Sequence, residues 1–151
     1  MAAPRPGPER ADHARALLSA PAADAWVASA SADGRPYLVP LSLCWDGERI
    51  VLATVTGSPT AVNIERAGRA RMALGGTRDV VMVDAELLSA TALAETPPEV
   101  ADAYATQADW DPRRAGGEFT YLVLRPIQVQ AWREANEIRG RTVMRDATWL
   151  H

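Results

Sequence analysis

The chain has 151 residues and a net charge of −3, a size for one domain with its own core and a charge that gives no electrostatic grip on nucleic acid or an anionic membrane. Its apolar runs are too short to span a bilayer, and Met1 to Arg15, rich in Pro, Arg and Glu, carries no signal-peptide apolar region. The single cysteine, Cys44, permits no internal disulfide and sits in an apolar strand pattern where a buried thiol is expected, so the chain reads as cytoplasmic.

Glu9 to Ala20 reads as a helix, with Ala11, Ala14, Leu17 and Leu18 on one face and Pro21 ending it. Asp24 to Ala30 follows as a strand, and Asp33-Gly34 is a hairpin turn signal. Its partner strand runs from Arg35 to Trp45, Asp46-Gly47 makes the next hairpin, and Ile50 to Thr54 is the third strand. A short helix is expected to start at Ser58-Pro59 and stop at Gly68, because serine caps, proline opens and glycine ends helices. Ala70 to Leu74 and Val80 to Leu88 read as the fourth and fifth strands, and Ala92 to Ala108 as a helix with Pro97-Pro98 in an N-terminal turn. Phe119 to Trp132 is a long sixth strand in which Pro126 implies an edge position or a bulge. The tail from Arg133 to His151 mixes charge, Gly140 and Trp149 and supports no assignment. Six strands joined largely by hairpins leave little room for parallel crossovers. The expected fold is mainly β, a six-stranded antiparallel barrel with two or three peripheral helices in one domain over residues 1–151.

The stretch A-T-V-T-G-S-P-T-A-V-N-I from Ala53 to Ile64 carries the most chemical information. A strand that delivers a helix by its N-terminus leaves backbone N–H groups pointing out of the turn, and Thr54, Thr56, Ser58 and Thr60 surround them with hydroxyls. Such a turn suits a phosphate; it is equally an ordinary capped surface helix.

Missing residue types narrow the chemistry. All sixteen basic residues are arginine, so Schiff-base chemistry, a P-loop lysine and a lysine general base are impossible. The only histidines are His13 and His151, neither well placed for a triad or a metal site, and no metal ligand set is expected. An enzyme of this composition would draw its chemistry from a bound cofactor.

The order of elements and motifs resembles the pyridoxamine 5′-phosphate oxidase-like split-barrel superfamily of flavin and deazaflavin proteins, from about Trp26 to Trp132. Four segments carry the resemblance: D-G-R-P-Y-L-V-P-L-S at Asp33 to Ser42, the Ala53 to Ile64 turn, T-R-D-V-V-M-V-D at Thr77 to Asp84, and Q-A-W-R-E at Gln130 to Glu134. It implies a six-stranded split β-barrel, with residues 1–22 as an N-terminal helical segment and 133–151 as a C-terminal tail. It also implies a homodimer that binds a flavin-type cofactor across the interface. Thr54, Ser58 and Thr60 would face the phosphate, and Val39, Pro40 and Leu41 would line the ring with backbone groups. Arg35 matches an arginine of the family's oxidases, and Trp132 matches a C-terminal tryptophan near the ring. Those oxidases carry Arg-Lys where this chain has Pro59-Thr60, a lysine where it has Pro40, and an R-x-H substrate motif absent here. Pyridoxamine phosphate oxidation is therefore not expected.

Arg78 or Arg71 could replace a lost charge or be a solvated strand-end arginine. Asn63 could bond the cofactor or tie the short helix to a neighbour, and Trp26 and Trp45 read as core residues. The expected cofactor is FMN. The 8-hydroxy-5-deazaflavin coenzyme is the alternative, because the Ala- and Arg-rich, lysine-free composition resembles high-GC bacteria in which many superfamily members use it. The reading is an oxidoreductase moving a hydride to or from a small organic substrate; a non-catalytic cofactor-binding protein or a degenerate structural barrel dimer are the alternatives. No catalytic residue stands out.

Overall fold

A computed structural model describes residues 2–151. Helix α1 (Gly7–Ser19) precedes β1 (Asp24–Ala30), β2 (Pro36–Trp45) and β3 (Ile50–Val55). Helix α2 (Pro59–Ala67) leads into β4 (Arg69–Leu74) and β5 (Val80–Ala92), and α3 (Pro98–Ala108) into β6 (Phe119–Trp132). The chain closes with β7 (Thr142–Arg145) and β8 (Thr148–Trp149). The strands lie in the order β3-β2-β1-β4-β5-β6, and β3 pairs back onto β6 to close a six-stranded antiparallel barrel. The fold expected from the sequence is the one found.

Two segments differ. The stretch expected to turn helical at Ala92 stays in β5, because Ser89 to Ala92 pair with Val123 to Thr120 of β6, and α3 begins only at Pro98. The unassigned tail forms β7 on the second edge of β6, and β8 on β7.

Burial explains why β3 and β6 read as continuous apolar runs instead of alternating ones. Ile50, Leu52, Leu122 and Leu124 point into the barrel, where Ala11, Ala14 and Leu18 of α1 join them. Val51, Ala53, Tyr121 and Val123 point the other way and are covered by Ala101, Tyr104 and Ala108 of α3, beside the buried Cys44. Burial pushes the Cys44 thiol above its ordinary value, as expected for a structural cysteine.

The proline in β6 marks a change of partner. Residues Phe119 to Leu124 pair with β3, whereas Val129 and Gln130 pair with β7. Between them Asp84 opposes Gln128 and Ala85 opposes Pro126, so Ile127 bulges. Its carbonyl accepts the Ala147 N–H at 2.9 Å. A residue without a ladder donor sits where the ladder is interrupted.

The tail is held by a buried ion pair. Arg5 donates to Glu137 from Nη2 at 2.8 Å, from Nε at 3.0 Å and from its backbone N–H at 2.9 Å. The Arg133 N–H adds a fourth bond to the same carboxylate at 2.9 Å, and Arg10 bonds the Glu137 carbonyl at 3.0 Å. Nearby, the Arg15 guanidinium lies 4.2 Å over the Trp149 ring. The Arg5 guanidinium and these N–H donors hold the Glu137 carboxyl well below its ordinary 4.5, at about 2.

Removing one partner of a buried pair leaves an unanswered charge, so Glu137→Gln should cost about 3 kcal/mol, measured by urea unfolding. A depressed carboxyl stabilises the fold fully above its unfolded value near 4.5 and loses that contribution as the pH falls through about 2. The urea midpoint of the parent should therefore drop across that window more steeply than that of Glu137→Gln.

Candidate functional site

The strand-to-helix turn forms as the sequence signals require. Ser58 has extended backbone angles and its Oγ accepts the Ala61 N–H at 3.3 Å, Pro59 opens α2, and Gly68 ends it at φ 72° with its N–H on the Ile64 carbonyl. Thr54 Oγ1 lies 3.2 Å from Ser58 Oγ, and Thr56 Oγ1 lies 2.9 Å from Thr120 Oγ1. No acidic residue stands in the first turn of α2. Among the described residues the N–H groups of Gly57 and Thr60 have no partner. Hydroxyls and free amides at a helix N-terminus form a donor set for an anion.

Thr60 is only 2% exposed as a whole residue, side chain and backbone together, so the accessible donors of the turn are the Gly57 amide and the hydroxyls of Thr54 and Ser58. Asn63 is buried as well and donates from Nδ2 to Ser29 Oγ at 3.1 Å, tying α2 to β1. Arg35 is exposed beside the turn, in a cavity of about 380 Å³ that it shares with Ser31, Asp33, Tyr37, Pro59 and Asn63. Among the described residues its guanidinium has no carboxylate partner. Asp33 sits in the same cavity, its carboxyl held below the ordinary range chiefly by the hydrogen bond from Ser31. The local charges nearly cancel, and anion binding here depends on the oriented donors.

Strand β2 runs past this cavity with one edge open. It pairs with β3 only at Leu43 to Trp45, so Pro36 to Ser42 have no strand on that side. The Arg35 carbonyl accepts the Ser31 N–H and the Leu43 N–H bonds the Ala23 carbonyl, so odd-numbered residues face β1 and even-numbered ones face the open edge. Val39 and Leu41 thus turn their backbone groups toward β1 and pack their side chains on the core. The open edge belongs to Pro36, Leu38, Pro40 and Ser42, of which Leu38 and Ser42 carry an N–H.

Trp132 and Arg78 lie elsewhere. Thr54 pairs with Thr120 near the start of β6, whereas Trp132 pairs with Val80 at its end. The Arg78 side chain is 84% exposed and paired with Glu134 at 3.2 Å, and Arg71 faces Asp84 at 3.4 Å. Within one chain the structure therefore gathers Arg35, Thr54, Ser58 and Asn63, beside the Pro40 edge, with Thr60 buried among them. It leaves Trp132 and Arg78 apart from them.

Trp132 instead borders a second, larger cavity of about 760 Å³ on the outer face of the barrel, with Trp26, Leu38, Met82, Ile138 and Arg141. Trp26 is not a core residue: it is 52% exposed. Strand alternation put Ala25 and Val27 inside and Trp26 outside, a signal present in the sequence. Trp45 is half-buried against the core. Nothing in the sequence pointed to Ile138 or Arg141, which the tail delivers.

Among the described residues Tyr37, 38% exposed, is the one tyrosine that lines the smaller cavity, and none lines the larger. Burial raises Tyr104 and Tyr121 above the ordinary tyrosine value, and the Tyr121 hydroxyl is sealed under α3 without a partner. Among the described residues no three His, Cys, Asp or Glu side chains are grouped to hold a metal, and no helix is long and apolar enough to cross a membrane.

The sequence profile described as pyridoxamine 5′-phosphate oxidase matches residues 11–133. No curated protein matches the chain significantly. Among solved structures, an F420 reductase superposes with a TM-score of 0.60 at 18% identity, over 76% of this chain and 94% of that one. A Clostridium acetobutylicum protein related to general stress protein 26 of B. subtilis, of the pyridoxinephosphate oxidase family, gives 0.63 at 12% identity over 83% and 89%. A heme binding protein from Mycobacterium smegmatis gives 0.62 at 19% identity, over 91% of this chain and 57% of that one. At these identities the likeness is one of fold.

Ser58→Ala should lower stability by about 1 kcal/mol through loss of the cap. Thermal unfolding followed by circular dichroism measures the loss, and the spectrum at low temperature should stay that of the parent.

Proposed function

The chain belongs to the pyridoxamine 5′-phosphate oxidase family, and we propose that it is a flavin- or deazaflavin-dependent oxidoreductase acting on a small organic substrate. The observation that carries this reading is the Ser58-capped start of α2, with the exposed and unpaired Gly57 amide, beside the unpaired Arg35 and the open edge of β2. Amides and hydroxyls would hold the cofactor phosphate, Arg35 would add the one nearby positive charge, and the Leu38 N–H with the Pro40 carbonyl would border the ring. A bound ring of this kind supplies hydride transfer, leaving the protein to bind, orient and exclude water.

FMN is the proposed cofactor. F420 is an 8-hydroxy-5-deazaflavin, and the fold likeness to an F420 reductase supports that coenzyme as the alternative. Pyridoxamine phosphate is not the proposed substrate, because Pro59-Thr60 and Pro40 stand where the family's oxidases carry cations and no R-x-H motif follows. A cofactor-holding protein without turnover is the second reading, favoured by the sealed Tyr121 and by the lack of a carboxylate–histidine pair at the turn.

A homodimer is part of the proposal. Trp132 at the end of β6 and Arg78 just before β5 sit too far away to reach the turn of their own chain, and a twofold-related copy would bring its Trp132 to this chain's cofactor. Sedimentation at micromolar concentration should give a dimer; a clean monomer with and without cofactor would remove this part.

Adding FMN and the deazaflavin separately to purified protein should give a saturable change in absorbance with one of them. Pro59 is exposed, so Pro59→Arg can restore a family cation at the turn without burying it. A charge-assisted bond should tighten FMN binding about tenfold, and Ser58→Ala should weaken it. If neither substitution moves the affinity, the phosphate does not sit at this turn.

A further inference from the structure

We propose that the large cavity on the outer barrel face binds a planar conjugated carboxylate, with Arg141 pairing its anionic group. In the oxidoreductase read above this cavity would hold the acceptor, and that assignment of role rests on that reading.

Sheet register makes the cavity. Ala73 of β4 lies between Trp26 of β1 and Met82 of β5, and Ala28 lies between Leu38 and Arg71. Two methyl side chains keep the floor low while their neighbours stand up around it. Trp26 and Leu38, 52% and 59% exposed, form one wall. Trp132 from β6 and Ile138 from the tail form the other. A slot of about 760 Å³ with indole walls and an alanine floor suits a flat guest of one or several fused rings.

Charge selects the guest further. Arg71 is answered by Asp84 at 3.4 Å. Arg141 donates only to the Ile138 carbonyl, at 3.1 Å, and has no carboxylate partner among the described residues. Its guanidinium carbon stands 5.8 Å from the centre of the Trp132 ring. A ring stacked on that indole places an attached carboxylate within reach of a fork of N–H donors in an apolar setting, where such a pair is strong. The part of the wall that supplies the charge lies beyond the profile match, which ends at residue 133. The buried Glu137, next to Ile138, fixes that wall in place.

A small aromatic carboxylate and a tetrapyrrole carboxylate share this chemistry, and calorimetric titration of the full chain separates them. The probes are 2-naphthoate, the neutral naphthalene-2-methanol, and metal-free protoporphyrin IX. Naphthoate should bind saturably and more tightly than the alcohol. Arg141→Gln should weaken naphthoate at least about tenfold and leave the alcohol unchanged, as for loss of a charge-assisted bond. Ala73→Phe fills the floor on an outward face and should abolish binding of both. Tighter binding of protoporphyrin than of naphthoate assigns the tetrapyrrole source, and the reverse order assigns the small ring. Equal binding of naphthoate and alcohol with no effect of Arg141→Gln, or binding that survives Ala73→Phe, overturns the site. Naphthoate binding that depends on Arg141 in a protein that takes up neither FMN nor deazaflavin keeps the site and removes only its redox role. Flavin uptake without naphthoate binding does the opposite.

Discussion

Strand β6 must satisfy three neighbours at once, and the rest of the architecture follows from how it does so. Along one edge it carries β5 for nearly its whole length. Along the other it carries β3 first and β7 afterwards, with Pro126 and the Ile127 bulge at the change. The first half closes the barrel and buries both faces, one in the core and one under α3. The second half anchors the tail and turns Gln130 and Trp132 toward the outer cavity. One strand thus joins the closure of the fold to the wall of a candidate binding site. A proline, which elsewhere weakens a strand, is tolerated because it stands where no donor is required.

Local signals carried most of the fold. The Asp-Gly turns, the Ser58-Pro59 start and the Gly68 stop each act within a few residues, and each formed as read. What failed depended on distant partners. The tail could not be assigned because its anchor, Arg5 to Glu137, joins residues 132 positions apart, and no periodicity announces such a pair. The sequence pattern ends the strand at Leu88 and begins a helix at Ala92, where alanine and small polar side chains follow; the ladder to β6 carries the strand on to Ala92. Trp26 was assigned by residue type to the core when its place in the alternation already set it outside.

The site residues divide along the same line. Thr54, Ser58, Asn63 and Arg35 came together because strand, turn and helix are consecutive and the β1–β2 hairpin returns beside them. Thr60 is buried with the first turn of α2, which its position in the sequence did not announce. Trp132 needed a three-dimensional map to place, as did its neighbour Arg141. The candidate anion turn lies within the profile match, whereas Ile138 and Arg141 of the larger cavity lie beyond it.

The open edge of β2 bears on how the protein behaves in a crowded solution. Seven residues without a strand partner would ordinarily invite a strand from another molecule. Pro36 and Pro40 have no N–H to offer, so between them the edge presents carbonyls and the single donor of Leu38. A passing strand would find half of its own carbonyls unanswered. Between the same two prolines the edge is thus a poor template for a strand from another molecule.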